Sequence, residues 1–438
     1  MQDTKIYKLN ITIKAFCVYI FIIKASFFAI IATIIKNIFL TKIIQKELFM
    51  KVYHLSHIDL DGYGCQLVSR EFFPNITFYN ANYGREVMVR LQAILRDIEA
   101  YKNKISEVTM LFGKPIKIER DKSSTSQKEQ FIILITDLNL TLNEAKFLSD
   151  QVKELKLAQV DVEIILLDHH ATGEESANTY GWYYLDITRC ATKITYEYLL
   201  ERFGLDSKTQ EWLKPMVEMI NSVDIWLEDG FGFEFGKVAM SLIASSNEFN
   251  RFMFDDENRD YKLKLLGFAR KFFVPHTESK NGGLIEGRAF DEVGFDNSVF
   301  FIKKEVLGGN KDSETMDNIV SRAQVKLLEA KKEQCKVYFE DKVGFLSYCM
   351  GGISVVANKF LQENEEFDFY IDVSNRGNVS LRSNGNCDVS ALSQMCFNGG
   401  GHKNASGGRI DSFRESFIYD DIKTQVQGHL QMKDEWDL

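Results

Sequence analysis

The sequence predicts an α/β fold with two lobes, an N-terminal domain built on a parallel sheet and a smaller α/β C-terminal domain. Two apolar runs, "FIILITDLNL" and "VEIILLDHH", each end in acidic residues, as central strands buried on both faces of a parallel sheet do. A helical pattern, "TLNEAKFLSDQVKEL", separates them, and the order strand, helix, strand is typical of a parallel sheet. After a strongly periodic helix at residues 318–336, a second alternation of strands and helices begins.

The N-terminal elements follow one another closely from Met50. The segment "KVYHLS" predicts a strand, "GCQLVSREF" a helix, "TFYNANY" a short strand and "REVMVRLQAILRDIEAYKN" a long helix. Residues 107–130 are expected to form a hairpin that ends in a polar loop. The helix between the two apolar strands carries a capping signal, Thr141 followed three residues on by Glu144. Two more helices are expected near residues 190–203 and 209–222.

The C-terminal elements are predicted in the same way. Strands are expected at "KVGFLSY", "FDFYIDV" and "NVSLRS", and helices at "ISVVANKFLQEN" and "DVSALSQMCF". A Phe-rich stretch before them reads as helices whose aromatic residues pack in a core. The expected divisions are an extension (1–49), an N-terminal domain (50–230), a helical insertion (231–317), a connector helix (318–336) and a C-terminal domain (337–438).

Composition narrows the class of protein. Apolar residues make up 45% and charged residues 26% of the 438, which is typical of a folded globular chain. The seven cysteines are scattered without a CxxC pair, which argues against a zinc ribbon or a disulfide framework and favours a reducing compartment. Residues 1–49 carry seven lysines and two acids, so residues 50–438 have a net charge of −14. Such an acidic body argues against stable binding of long duplex nucleic acid, but not against a short phosphorylated substrate.

Two interpretations of residues 1–49 stay open. Residues 15–35 have about the length of a bilayer span, and their Ile, Phe and Val residues could outweigh the roughly 3 kcal/mol cost of Lys24 at mid-membrane. Alternatively the start is over-extended, because Met50 already opens a strand-like sequence. The protein is expected in the cytoplasm, or at the cytoplasmic face of the inner membrane if the extension is a real anchor.

Acids and histidines follow the predicted strands of the N-terminal domain. Because the carboxyl ends of parallel strands share one edge of a sheet, these side chains are expected to meet in one crevice. They are His57, Asp59 and Asp61 after the first strand, Asp137 after the second, Asp168, His169 and His170 after the third, and Asp224 after a helix. Alternation along an extended segment would point the first three the same way. A lone Asp at such a position is usually a turn or a helix cap, but gathered acids would repel one another without a cation.

This donor set predicts a site for two divalent ions. Histidine and carboxylate ligands without thiolate suit manganese, magnesium or iron better than structural zinc. The donors are too many for one ion, so two are expected, with an aspartate bridging them. Two ions about 3.5–4 Å apart make hydroxide from a bridging water and polarise a phosphoryl group. Hydrolysis of a phosphate ester or anhydride is the predicted reaction.

A second motif, "FNGGGHKNASGG" at residues 397–408, reads as an anion cradle or, alternatively, as a flexible glycine loop. Three consecutive glycines leave backbone N–H groups open to close approach, and the neighbouring side chains add donors. The segment "VSLRSNG" contributes an arginine that can grip a phosphate with two hydrogen bonds. The candidate substrate-binding residues are Arg382, Ser383, Gly399, Gly400, Gly401, His402 and Asn404.

At these residues the chain resembles the DHH phosphoesterase superfamily. The segments "HIDLDG", "ITDLN", "LLDHHAT" and "NSVDIW" resemble its four N-terminal motifs, and "GGGHKNASGG" with "SLRS" resembles the DHH-associated domain. The resemblance covers about residues 50–225 and 335–410. It implies a manganese-dependent phosphohydrolase of short oligonucleotides or nucleotides, similar to nano-RNases, pAp phosphatases and cyclic-dinucleotide phosphodiesterases.

The resemblance also implies roles for single residues. His57, Asp59 and Asp137 would hold one manganese ion, and Asp61, Asp137, His169 and Asp224 the other, so that Asp137 bridges. Asp168 would orient the adjacent histidines, His170 would face the scissile phosphate, and Arg382, His402 and the glycines would bind the far end of the substrate. A single residue separates His57 from Asp59, as in the RecJ-like pattern, whereas several nano-RNase-like members have three. His54 is the poorer candidate, because it lies inside the strand.

Other functions are compatible with the same motifs. They are an exopolyphosphatase or pyrophosphatase, a RecJ-like single-strand exonuclease, and a non-catalytic nucleotide-binding protein. A RecJ-like enzyme is expected to carry an added oligonucleotide-binding domain and a basic channel. A homodimer is a further expectation.

Overall fold

The computed structural model describes residues 50–108, 130–273, 290–310 and 312–431. The expected extension at 1–49 and all but the ends of the hairpin expected at 107–130 lie outside these ranges. Among the helices in these ranges, none combines the length and the hydropathy that crossing a membrane requires.

The N-terminal lobe alternates strands and helices from the first described residue. Its elements are β1 (Met50–Ser56), α1 (Leu60–Ser69), β2 (Ile76–Asn80), α2 (Arg85–Val108), β3 (Gln130–Thr136), α3 (Leu142–Leu157), β4 (Asp161–Asp168), α4 (Glu174–Thr179), β5 (Tyr183–Leu185), α5 (Ala191–Phe203) and α6 (Ser207–Asp224). The predicted capping box at the start of α3 is present, since Thr141 and Glu144 each bond the other's backbone N–H.

All five strands of this lobe pair in parallel, in the order β2-β1-β3-β4-β5. The three strands whose ends carry the candidate ligands are therefore neighbours at the centre of the sheet. Successive residues of β1 enter two different cores: Val52 packs towards α1 and α6, while Tyr53 and Leu55 pack on the opposite side, towards α2 and α3. Burial on both faces explains why these strands read as continuous apolar runs. The predicted α/β class is confirmed.

Three helices follow, and a fourth leads to the second lobe. They are α7 (Phe233–Ser245), α8 (Asp255–Ala269), α9 (Glu292–Val306) and α10 (Met316–Ala330). The aromatic residues here do pack as a core, since the ring of Phe235 stacks at 4.7 Å on both Phe290 and Phe295. Helix α10 ends at Ala330, and the prediction that it continues to residue 336 was wrong. The polar run from Lys331 to Gln334 offers no apolar side chain to bury, and a new strand begins at Lys336.

The C-terminal lobe has a mixed six-stranded sheet. Its elements are β6 (Lys336–Phe339), β7 (Lys342–Tyr348), α11 (Ser354–Glu363), β8 (Phe369–Val373), β9 (Asn378–Ser383), α12 (Val389–Phe397), β10 (Gly400–His402), β11 (Ala405–Arg409) and α13 (Tyr419–Gln431). The sheet order is β10-β11-β9-β8-β7-β6, in which β7 and β8 pair in parallel and the other pairs are antiparallel. One apolar cluster continues from the first lobe through α8 and α10 into this sheet.

The glycine-rich motif forms a β-hairpin in this sheet. Strand β11 pairs with β9 and carries β10 at the sheet edge. Gly401 has φ +152°, and a Cβ there would lie 2.8 Å from the carbonyl oxygen of Ala405. A glycine is therefore required at position 401, next to the turn of the hairpin.

Candidate active site

The carboxyl ends of β1, β3 and β4 bring the candidate ligands into one crevice. His169, just after β4, is central to a first group: its Nε2 lies 3.3 Å from Oδ1 of Asp137, 3.7 Å from Oδ2 of Asp61 and 3.7 Å from Oδ2 of Asp224. Asp224 is the last residue of α6, so the end of a helix adds a carboxylate to the group formed at the strand ends.

His57, after β1, forms a second group on the other side of Asp137. Its Nδ1 lies 2.9 Å from Oδ2 of Asp59 and 3.7 Å from Oδ2 of Asp137. Asp137 therefore presents one oxygen to each group, as a bridging ligand would. His57, Asp59 and Asp137 hold one potential ligand atom each within 4.8 Å of one another, and so do Asp137, His169 and His170.

Asp61 reaches the crevice by a route that the alternation argument did not foresee. The chain turns into α1 directly after Asp59, whose carboxylate accepts the N–H of Gly62 as the helix cap. Asp61 thus lies in the first turn of a helix, and the prediction of one extended segment was wrong. Its two carboxylate oxygens accept the N–H groups of Ala191 and Thr192, at 2.7 and 2.8 Å, at the start of α5.

The crevice gathers several carboxylates, and the described part of the chain does not supply a hydrogen-bond donor to each of their oxygens. Burial, followed by the charges of Asp61 and Asp59, raises the pKa of Asp137 well above its usual value. Burial, followed by the charges of Asp61 and Asp59, also raises the pKa of Asp224, to about 9. Oδ2 of Asp137 and Oδ2 of Asp224 are buried, and neither has a hydrogen-bond partner among the described residues.

Divalent cations fit this arrangement. They would occupy the space between oxygens that lack donors, and they would relieve the repulsion that raises these two pKa values. Cys190 lies in the same cluster, beside Asp61 and Asp224. Burial, and then the charge of Asp61, raises the pKa of its thiol well above the usual value. The thiol is therefore protonated in the metal-free protein, and the carboxylates and imidazoles are the candidate ligands.

Asp168 and His170 form a separate pair at the edge of the crevice. Oδ1 of Asp168 lies 2.7 Å from Nδ1 of His170, and its Oδ2 accepts the hydroxyl of Tyr183 at 2.7 Å. Although burial alone lowers the pKa of His170, the hydrogen bond and charge of Asp168 outweigh it, and the pKa is raised. Asp168 is fully buried, whereas 31% of the His170 side chain is exposed. His170 therefore faces the crevice with a fixed ring orientation.

Tyr83 is a residue of this site that the sequence analysis missed. It follows β2, the strand next to β1, and its hydroxyl lies 2.9 Å from Nε2 of His170. The centre of its ring lies 4.4 Å from that of His57. The prediction of a strand at "TFYNANY" could have found it, because the end of that strand shares the same sheet edge.

His54 belongs to the core. Its two ring nitrogens lie 2.7 Å from the hydroxyl of Ser69 and 2.8 Å from that of Thr136. Burial, then the charge of Arg259, lowers its pKa to about 3, so its ring is neutral. Because both ring nitrogens are already bonded to hydroxyls in the core, His54 is not free to act as the first histidine ligand.

The candidate substrate residues of the C-terminal lobe lie around β9 and the glycine hairpin. Arg382 donates from Nη2 to the hydroxyl of Ser354 at the start of α11, and from Nη1 to its own strand. Ser383 is buried, and its hydroxyl donates to the carbonyl of Asp368 and accepts the N–H groups of Gly385 and Cys387. His402 is exposed.

The hairpin itself is tightly built. The carbonyl of Asn404 accepts the N–H of Ser383, while its side chain is exposed. A Cβ on Gly399 would lie 2.0 Å from the carbonyl oxygen of Gly407, whereas a Cβ on Gly400 would meet nothing closer than 3.8 Å. Gly400 is the glycine whose backbone remains open to close approach.

Comparison with known proteins decides the family. The chain is 55% identical over 379 residues to the 3′,5′-cyclic-nucleotide phosphodiesterase of Helicobacter pylori (strain ATCC 700392 / 26695), covering 86% of this chain and 98% of the relative. The chain belongs to the DHH phosphoesterase family. The predicted family is thus confirmed, and so is the class of enzyme, a hydrolase of phosphate esters.

Two further proteins are similar to this chain over most of their length. A crystal structure of an uncharacterized protein from Helicobacter pylori G27 matches with a TM-score of 0.72 and 54% identity, covering 87% of this chain and 99% of that chain. Oligoribonuclease NrnB of Bacillus subtilis (strain 168) is 24% identical, covering 84% of this chain and 75% of its own. A scan against protein-family models found no match.

Proposed function

We propose that this DHH phosphoesterase is a manganese-dependent phosphodiesterase that hydrolyses short oligonucleotides or small nucleotides in the crevice at the ends of β1, β3 and β4. One observation carries the proposal: Asp137 lies between two groups of ligand atoms and offers one oxygen to each. Such a bridge is what a site for two divalent ions requires.

The ligand roles follow the two groups of side chains. His57, Asp59 and Asp137 would hold one ion, and Asp61, Asp137, His169 and Asp224 the other. When bound, the two ions supply positive charge to the phosphoryl oxygens and lower the pKa of water. Manganese is the proposed ion, because oxygen and imidazole donors occur together without a thiolate, and magnesium is the proposed substitute.

The side chains at the edge of the crevice would orient the phosphate. Asp168 holds His170 through Nδ1, so that Nε2 points towards Tyr83 and the open side of the crevice. With its raised pKa, His170 carries a larger share of positive charge near neutral pH than an unperturbed histidine, and would bind a phosphoryl oxygen. Tyr83 would fix the position of this Nε2 until substrate replaces its hydroxyl.

The substrate class rests on two relatives and on the second lobe. One relative is named a 3′,5′-cyclic-nucleotide phosphodiesterase and the other an oligoribonuclease, and both names describe phosphodiesters of nucleotides. Arg382, His402 and the backbone around Gly400 would bind the far end of the substrate. Ser383, Gly399 and Gly401 would shape this binding surface, and Asn404 would add a donor from the hairpin turn.

Replacing Asp137 tests the proposal. Asparagine is the substitute of choice, because Asp137 has φ +55° and Asn tolerates this left-handed conformation better than Ala. With Mn²⁺ and the dinucleotide ApA, we expect Asp137→Asn to lower kcat/KM by at least roughly 1000-fold. The exposed acid Asp150, which pairs with Lys146 on α3, supplies the control: Asp150→Asn should hydrolyse ApA like the wild type.

The same assay separates the other functions. ApA, 3′,5′-cyclic AMP, a 20-mer RNA, single-stranded DNA and polyphosphate are compared as substrates of the wild-type protein. Phosphate release from polyphosphate alone would establish an exopolyphosphatase, and preferred cleavage of long single strands a RecJ-like exonuclease. Nucleotide binding without turnover in excess Mn²⁺ would establish a non-catalytic binding protein. Each of these results contradicts the proposal.

A further inference from the structure

A cleft of about 560 Å³ opens beside the candidate metal ligands and extends to the second lobe. Asp59 contributes to it from the first lobe, Lys262 from α8, and Met350 from the loop after β7. Its volume falls within the range of pockets that bind small ligands, roughly 300–1000 Å³. Helix α7 supplies an apolar wall, made of Met240, Ile243 and Ala244.

Most polar groups that line the cleft are already bonded within the protein. Arg251 donates both terminal nitrogens to Glu86, at 2.5 Å each. The amide nitrogen of Asn258 donates to the carbonyl of Phe249, and its amide oxygen accepts the hydroxyl of Tyr63. Each of these side chains is therefore already held by a partner within the protein.

Two other lining amides are occupied in the same way. Asn250 donates to the backbone carbonyls of Tyr348 and Cys349. Gln324 donates to the backbone carbonyl of Glu248 at 2.7 Å. These amides therefore hold the walls of the cleft together.

Lys262 is the exception. Its residue is only 7% exposed, and its ammonium makes no hydrogen bond or ion pair with any residue in the described ranges. Its Nζ lies over the ring of Tyr63, 5.1 Å from the ring centre. Burial, and then the charge of Arg251, lowers the pKa of Lys262 to about 8, so the group is still mostly protonated at neutral pH.

The other buried lysines of the described chain are bonded. Nζ of Lys303 lies 2.8 Å from Glu248 and 3.2 Å from the carbonyl of Ser245, and Nζ of Lys304 donates to the carbonyl of Glu314 at 2.5 Å. A buried ammonium without such partners is costly. Lys262 thus lines a cavity of ligand size without a hydrogen-bonded or ion-paired partner among the described residues. The charges of Glu248 and Asp59 attract its ammonium but do not outweigh its burial and the charge of Arg251.

We propose that Lys262 binds a second phosphate of the substrate, a terminal phosphate separate from the phosphodiester that is cleaved, while the attached nucleoside lies against the α7 wall of the cleft. The inference rests on the proposed function, because it places the cleaved phosphate at the neighbouring carboxylates. The preferred substrate class is then a short oligonucleotide with a terminal phosphate. The insertion between the two lobes supplies the residue that recognises it.

A pair of dinucleotides that differ by one phosphate tests this. Binding of pApA and ApA is measured by calorimetry in the Asp137→Asn background, in which a bound ligand is not expected to be consumed. With Lys262 present, pApA should bind roughly 10- to 100-fold more tightly than ApA, the usual effect of a charged hydrogen bond. Lys262→Met should abolish this preference, and Lys262→Arg, which keeps the charge, should retain part of it.

The control is Lys264→Met, two residues along α8, where the side chain is exposed. It should keep the full preference for pApA. An unchanged preference in Lys262→Met, or an equal loss of affinity for both dinucleotides, would overturn the inference. Thermal melting checks the fold, and a lower melting temperature of Lys262→Met would also contradict it, because removing an unpaired buried charge should not destabilise the protein.

Hydrolysis by the wild type is scored separately from binding. A preference for pApA without any turnover would leave the phosphate subsite standing and reject the proposed function. Turnover of both dinucleotides without a preference in binding would support the proposed function and reject the phosphate subsite.

Discussion

Asp137 combines two unfavourable features that a bound cation would explain. Its backbone has φ +55°, a left-handed conformation that costs most residues about 1 kcal/mol. Its carboxylate is 1% exposed, and Oδ2 lacks a hydrogen-bond partner among the described residues. Costs of this kind persist at functional sites when the surrounding structure fixes them. We therefore expect the metal-free protein to be held in a conformation that its own charges oppose.

Because Asp224 is one of these crowded carboxylates, the stability of the metal-free protein should depend on pH. Its pKa is about 9 in the folded protein and about 4 in an unfolded chain. The folded metal-free state therefore binds an extra proton between these values, and its stability should fall as the pH rises from about 4 to about 9. Asp224→Asn should remove this loss. In EDTA at pH 9 the variant should melt at least about 2 °C above the wild type, with the gap closing towards pH 5.

The exposed neighbour Asp229 provides the control for this melt series, since Asp229→Asn should follow the wild type. Added Mn²⁺ should raise the melting temperature of the wild type most at high pH, where the carboxylates are ionised. Parallel curves for the wild type and Asp224→Asn in EDTA would show that Asp224 is not held in its neutral form.

At the scale of single residues, the sequence predicted which side chains meet better than it predicted how the chain brings them together. The strand-end rule located Asp137 and His169 correctly in one crevice. It gave the wrong geometry for Asp61, because an aspartate that starts a helix looks the same in the sequence as one on an extended segment. Tyr83 was missed, since its role depends on how the chain leaves β2 and not on any chemistry peculiar to tyrosine.

Among the elements, the helical insertion acts on the site through the loop that joins β2 to α2. Arg251 binds Glu86 with two hydrogen bonds, and Glu86 also accepts the N–H of Asn82 at 2.8 Å. Oδ1 of Asn82 lies 3.4 Å from Nε2 of His57. A chain of contacts thus runs from the insertion to the first candidate ligand.

A second connection parallels the first. Arg259, on α8, lies 3.5 Å from the amide oxygen of Asn80, whose amide nitrogen donates to the carbonyl of His57 at 2.9 Å. Both connections end at His57, although the insertion carries none of the candidate ligands. The insertion therefore positions this part of the site as well as lining the neighbouring cleft.

Arg251→Met tests the first connection. It leaves the carboxylate of Glu86, which is 1% exposed, without its two strongest hydrogen bonds. Removing one partner of a buried pair should lower the free energy of unfolding by roughly 3 kcal/mol, measured by urea denaturation. The looser loop should also reduce kcat/KM through His57.

Two further variants make this result specific. The double variant Arg251→Met/Glu86→Gln should recover much of the lost stability, because no buried charge is left unpaired. Arg202→Met breaks a more exposed pair with Glu163 and should cost less than about 1 kcal/mol. If Arg251→Met lowers the free energy of unfolding no more than Arg202→Met does, the insertion does not hold the loop between β2 and α2.

Elements were predicted best where local pattern and tertiary burial agree. The strands β1, β3 and β4 and the capped helix α3 appear where the sequence placed them. Strands β10 and β11 were not foreseen, because their glycines have low β-propensity and pairing with β9 imposes the conformation. The prediction that α10 continues to residue 336 was wrong for a similar reason. Lys331 and its polar neighbours are good helix formers, but they have no apolar side chain to pack against the core.

The two lobes share one apolar core, so the molecule is less divisible than its motifs suggest. The cluster that includes Val52 in the first lobe also includes Phe345 and Leu381 in the second, with helix α8 between them. The cleft with Lys262 lies where these three parts meet. Substrate bound there would therefore contact both lobes and the insertion, which sets a limit on its length.

Charge sets a second limit at the scale of the molecule. Residues 50–438 carry a net charge of −14, whereas each phosphate contact to long nucleic acid needs a lysine or arginine and adds about −0.9 to the slope of log K against log salt. Contacts from Lys262 and Arg382 predict a slope no steeper than about −2 for pApA. A 30-base-pair duplex should bind more weakly than roughly 0.1 mM at physiological salt, measured by fluorescence anisotropy. If the duplex bound tightly, with a slope of log K against log salt of about −6 or steeper, the protein would instead have a basic channel and resemble a RecJ-like enzyme.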